Sequence, residues 1–238
     1  MQPERHAVPR SGEKTIDAGL RTHFQRVYNM MAMGLVVTGV MAYAVASTPA
    51  LMQIIYGNTI IMWTVFLAPL GIIFFGLTPA KVSRMNIGTV AGLYLLMTAL
   101  IGISMSSIFM VYSNESITKV FFITAGMFSA TSVYGYTTKK DLTSMGSLMF
   151  MGLIGIIIAS IVNIFMQSSM MEFVISVIGV VVFTGLTAWD TQRIKESYSA
   201  SHGHDSNMKM AVMGALSLYL DFINLFMMLL RLFGGSRN

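Results

Sequence analysis

Seven apolar runs follow one another along this chain, near residues 27–46, 58–77, 87–112, 118–137, 144–166, 172–190 and 210–234. Each approaches or exceeds the ~20 helical residues that cross a hydrocarbon core about 30 Å thick. In hydrocarbon every backbone N–H and C=O must be bonded within the segment, so runs of that length read as helices. The breaks between them are compact and carry turn formers: Ser47-Thr48-Pro49, Thr78-Pro79, Ser113-Asn114 and Gln167-Ser168-Ser169. The predicted fold class is all-α, a polytopic transmembrane helical bundle of seven spans. The last run either crosses fully or re-enters. Residues 27–238 form a single domain, since 238 residues suit one compact bundle.

Charge supports this reading. Only 11% of residues are charged, against about 25% in a soluble domain. An ionised side chain at the centre of a span costs roughly 2.5–3.5 kcal/mol on insertion scales, so hydrocarbon selects against it. The net charge of +5 does not point to nucleic acid, because the basic residues are scattered among loops without aromatic interleaving. Cysteine is absent, which excludes disulfides, thiolate metal sites and cysteine nucleophiles. The 23 methionines read as flexible apolar filler in helix packing rather than as a copper path. Small residues such as Gly34, Gly39, Gly152 and Gly155 allow close helix approach.

Residues 1–26 read as a polar, basic N-terminal tail. No apolar stretch precedes Val27, so the segment resembles a retained tail rather than a cleavable signal. Ile16, Leu20, Phe24 and Val27 recur at near-helical spacing, which fits a short helix on the membrane surface; an ordinary disordered tail fits equally. With the N-terminus cytoplasmic, 12 of the 15 Lys and Arg fall inside, including Lys81, Arg84, Lys139, Lys140, Arg193, Lys195 and Lys209. Lys119, Arg231 and Arg237 remain outside. The asymmetry follows the positive-inside rule and survives if the last run re-enters.

Two carboxylates lie outside the breaks. Asp221 sits near the middle of the last run and Asp190 closes the sixth. An ionisable residue at such depth is a functional-site candidate, because burial without a partner is costly. Each also has a structural reading: a bond to a neighbouring helix for Asp221, and a helix-end pair with Arg193 for Asp190. Taking the sixth helix to Tyr198 and the seventh from Met208, their depths differ by roughly 8 Å at 1.5 Å per residue, which makes pairing plausible. Asn224, one turn beyond Asp221, and Asn163 either line a polar cavity or lock helices together. Arg84 and Lys81 are counter-ions or orientation determinants. His202 and His204 read as solvated loop residues, and no histidine falls within the apolar runs. No Gly-rich phosphate loop, His-Glu-x-x-His helix or Gly-x-Ser-x-Gly elbow occurs, so no enzyme is expected.

Around these carboxylates the sequence resembles the Bax inhibitor family. The matching segments are Phe-Thr-Gly-Leu-Thr-Ala-Trp-Asp-Thr-Gln-Arg-Ile (183–194) and Ala-Leu-Ser-Leu-Tyr-Leu-Asp-Phe-Ile-Asn-Leu-Phe (215–226). The loop Thr-Thr-Lys-Lys-Asp-Leu-Thr (137–143) looks like the family's break between its fourth and fifth spans. The resemblance implies seven helices and a pH-sensitive calcium leak governed by a hydrogen-bonded Asp190–Asp221 pair. It also implies a bacterial-type member in an inner (plasma) membrane, where some relatives are linked to a membrane-bound protease. Some relatives carry an arginine on the second span that latches the first aspartate; here that span has none, and Arg84 lies in the following loop.

Three readings follow. In the first, calcium, a hard cation that prefers oxygen ligands, is the permeant ion; Asp190 and Asp221 are its ligands and gate, and no cofactor is needed. In the second, the protein transports nothing and regulates other membrane proteins by binding them. The third, an intramembrane aspartyl protease, lacks its signatures, since Trp189 and Leu220 precede the two aspartates. Two carboxyls within hydrogen-bond reach share a proton and titrate as a pair. Calcium flux is therefore expected to vary between roughly pH 5 and 8.

Overall fold

The computed structural model describes residues 11–199 and 201–235, with side chains from residue 18 onward. Among the described residues, seven helices are long and apolar enough to cross a membrane. In chain order the helices are α1 (Ser11–Ala46), α2 (Pro49–Tyr56), α3 (Thr59–Gly71), α4 (Pro79–Val82), α5 (Ile87–Met105), α6 (Ile108–Val111), α7 (Asn114–Thr137), α8 (Thr143–Met166), α9 (Ser169–Ser197) and α10 (His204–Phe233). The predicted breaks act as helix punctuation. Pro49 and Pro79 occupy first turns, where a missing N–H costs nothing. Asn58, Asn86, Ser113 and Ser168 cap α3, α5, α7 and α9 by accepting backbone N–H bonds. Pro69 removes a backbone donor inside α3, which passes into a π-helical turn at Ile72–Gly76.

The seven spans are not equivalent. Among them α10 is the most deeply enclosed, packed against α1, α5, α7 and α9. Tyr219, Leu218, Leu225 and Leu230 on it are fully enclosed. By contrast, α8 lies mainly against α9, and α3 against α5, each presenting large apolar side chains outward. Outward-facing Phe74, Phe75, Phe165 and Ile164 are suited to lipid tails, which satisfy apolar surface as well as a core does. Hydroxyls inside the spans turn back on their own helix: Thr124, Thr184, Thr187 and Thr191 each donate to the carbonyl four residues earlier.

Several sequence expectations meet a different arrangement. The segment before Val27 is neither a separate surface helix nor an irregular tail over residues 11–26. It continues α1 as one helix, because His23, Phe24 and Val27 form a buried stripe while Arg21 faces out. Arg5 and Arg10 lie outside the described residues, as does Arg237. The re-entrant alternative for the last run is not realised: α10 is uninterrupted from His204 to Phe233. Just beyond its end, Gly235 bonds the backbone and side chain at Ser113 and Ser116. At the opposite end of the bundle, Lys209 Nζ donates to Ser83 O and Lys195 Nζ to Tyr136 O, gathering the basic loops together.

Candidate functional site

Near the basic end, α9 and α10 run antiparallel. Ile194 touches the α10 backbone at Gly214, while Met228 covers Gly179 further along the same interface. Asp190 and Asp221 face each other across this seam, their carboxyls within hydrogen-bonding reach. Both are buried, 7% and 5% exposed respectively. The helix ends do not predict this register, because Asp221 lies 17 residues into α10 and Asp190 only 7 before the end of α9. At 1.5 Å per residue the difference is about 15 Å.

Arg193 sits one turn beyond Asp190. Its Nη2 lies 2.9 Å from Asp190 Oδ1, close enough for an ion pair, although the N–H is not aligned on that oxygen as a hydrogen bond. The same nitrogen donates to Ser217 Oγ on α10 at 3.1 Å, and the guanidinium rests 4.8 Å from the Trp189 ring centroid. Arg193 thus lies over the pair from the basic end, half in solvent. Asp221 Oδ2 has no donor among the described residues. A carboxyl oxygen enclosed in this way needs a proton on one member of the pair, or a cation, for its lone pairs.

Beside the pair runs a chain of hydroxyls. Tyr28 on α1 bonds Ser132 on α7, and Ser132 bonds Thr191 on α9 at 2.9 Å. This ties the helix carrying Asp190 to two neighbours. Gly135 on α7 lets the same helix approach, since a Cβ there would stand 2.2 Å from Ala188 O. Gln192 closes the basic side of the site: it accepts from Leu142 N–H and donates to Lys140 O, both at 2.8 Å.

Asp190, Asp221 and Arg193 therefore come together; the other candidates serve elsewhere. Arg84 is exposed and forms no ion pair among the described residues, so Arg193 meets Asp190 in its stead. Lys81 donates to Phe75 O and finishes the π-helical turn. Asn224 donates to Leu220 O of its own helix. Asn163 accepts from Ser168 N–H and shapes the α8–α9 turn, where Gln167 adopts φ 49°. His202 and His204 are exposed. A histidine does lie within the first span, contrary to expectation. His23 is 2% exposed, has no hydrogen-bond partner among the described residues for either ring nitrogen, and lies 5.3 Å from the Tyr198 ring. Its spacing from Leu20 and Val27 was the available signal. No cluster of three or more His, Cys, Asp or Glu occurs among the described residues. Two carboxyls supply fewer oxygens than the six to eight or so of a resident calcium site.

A family model described as inhibitor of apoptosis-promoting Bax1 matches residues 20–238. The chain belongs to this Bax inhibitor family. The inner membrane protein YbhL of Escherichia coli strain K12 is 43% identical over 222 residues, covering 92% of this chain and 94% of that one. An uncharacterised protein of Rickettsia prowazekii is 45% identical over 234 residues, covering 96% and 95%. One of Borreliella burgdorferi is 45% identical over 214 residues, covering 90% and 91%. This Bax inhibitor family member is an integral, multi-pass membrane protein of seven helical spans.

Proposed function

We propose that the protein is a pH-sensitive calcium leak gated by Asp190 and Asp221, and that it acts without catalysis or a resident cofactor. The observation that carries this reading is the enclosure of two carboxyls, face to face, on adjacent helices of a membrane bundle. With one proton between them the carboxyls hydrogen-bond and hold α9 against α10. Without it two carboxylates repel each other, the seam hydrates, and a divalent cation meets two hard oxygen donors. Arg193 moderates this by offering Asp190 a positive partner from the basic end. Flux then rises as pH rises through the titration of the pair. With both carboxyls protonated, the attraction for cations disappears.

The basic end, where α1 begins and α9 and α10 are joined, is proposed to face the cytoplasm. By analogy with YbhL, the membrane is proposed to be a bacterial inner membrane. The test is calcium entry into proteoliposomes of purified protein between pH 5 and 8. Flux that varies with pH in wild type and is flat in Asp190→Asn, Asp221→Asn supports the gate. Wild-type liposomes that pass no more calcium than empty ones overturn it and favour a non-transporting regulator of other membrane proteins.

A further inference from the structure

A second polar site lies next to the pair. Between α4, α9 and α10 the basic end holds an open cavity of about 450 Å³, lined in part by Val82, Ser83, Arg193, Lys209, Met213 and Ser217. We propose that this cavity binds the phosphate headgroup of an anionic membrane phospholipid, with Arg193 and Lys209 as its cationic ligands.

The donors are poorly used by the protein itself. A guanidinium has five N–H groups and an ammonium three. Among the described residues, Arg193 meets Asp190 and Ser217 through Nη2 alone, leaving Nε and Nη1 undirected. Among the same residues Lys209 Nζ meets only Ser83 O. Among the described residues no acidic side chain lines the cavity, so two cations share a recess without a full counter-charge there. A phosphodiester matches this set, taking the planar fork of Arg193 and the point charge of Lys209 together. The remaining wall is apolar, with Val82 and Met213 among its side chains. Inorganic phosphate has no use for such a wall, whereas the glycerol and first methylenes of a lipid do. Arg193 lies four residues, about 6 Å, from the end of α9, at the basic end of the bundle that an anionic headgroup would approach.

The binding site stands independently of the function proposed above; one consequence rests on it. A lipid phosphate would draw Arg193 from Asp190, so the same guanidinium would link membrane composition to the aspartate pair.

Trp189 provides a built-in probe, since the Arg193 guanidinium lies over its ring. The other tryptophan, Trp63, is exposed on α3, and Trp63→Phe leaves Trp189 as the sole tryptophan, excited apart from the tyrosines at the red edge of the absorption band. That full-length variant, in uncharged detergent, is titrated with dioctanoyl phosphatidylglycerol while bound lipid is counted by native mass spectrometry. A saturable emission change with retained phosphatidylglycerol is expected, and no comparable response to dioctanoyl phosphatidylcholine. Adding Lys209→Gln should weaken the apparent affinity roughly tenfold, and Lys209→Arg should retain it. Equal responses to the two lipids, no retained phosphatidylglycerol, or an unchanged titration in Lys209→Gln would overturn the site. A saturable response to inorganic phosphate at the same concentrations would overturn the lipid assignment in favour of a free anion.

Discussion

The aspartates differ in what remains when either is removed. Asp190 has Arg193 at 2.9 Å, whereas Asp221 faces chiefly Asp190. In Asp221→Ala the surviving carboxylate stays paired with the guanidinium, leaving a neutral plug near the basic end. Calcium flux in proteoliposomes should then fall roughly tenfold or more. Asp190→Ala leaves Asp221 as a lone carboxyl near Arg193 and should reduce flux less. A milder change, Arg193→Gln, removes the positive partner that favours the ionised, open pair while retaining a donor for Ser217; flux at fixed pH should fall several-fold. Alanine variants at both aspartates that conduct as wild type would exclude the pair from the path. These two carboxylates were legible in the sequence because their burial is costly. The pairing of Asp190 with Arg193 was legible too, from their spacing at the helix end; that Arg84 stays exposed and forms no ion pair among the described residues was not, until the direction of its side chain was known.

At the scale of helices, the contacts that hold the site depend on close backbone approach. Alanine at Gly135 would gain about 1 kcal/mol in helix propensity. Its Cβ, however, would stand 2.2 Å from Ala188 O, a backbone atom that moves only if α7 and α9 separate. Overpacking of this kind typically costs about 1–3 kcal/mol, so the clash outweighs the propensity. Gly135→Ala should lower the thermal unfolding midpoint in detergent, whereas Gly92→Ala, with open space around its Cβ, should not. Equal midpoints for the two variants would show that the α7–α9 contact is dispensable. None of this was readable from composition. Gly34 and Gly152 were recognisable as small residues, but Gly135 was not separable from Gly92 before a neighbouring helix filled one space and left the other empty.

For the whole molecule, the orientation of the ends is the testable consequence. Tyr198 of the α9–α10 connector rests against Gly19 and His23 of α1, so the start of α1 shares an end with that connector. In this cysteine-free background, single cysteines at Ser11 and Ser201 should label from the same face of the membrane. A cysteine at Gly235 should label only from the other. Labelling of Ser11 and Ser201 from opposite faces would sink the seven-span arrangement; labelling of Gly235 with them would show that α10 does not cross.

The number of spans, their breaks and the clustering of basic loops were determined by the sequence alone. The physical reason is that hydrocarbon imposes local rules: a run must be long enough to cross, and a charge must leave or find a partner. Helix rotation obeys no such local rule. Spans such as α3 and α5 are apolar around most of their circumference, so one-dimensional periodicity does not say which face turns inward. Only tertiary packing made α10 the central helix, buried His23, matched Asp190 to Asp221 across the seam and brought Arg193 over them. These are decisions between surfaces of nearly equal hydropathy, made by shape and by the few polar groups that must meet.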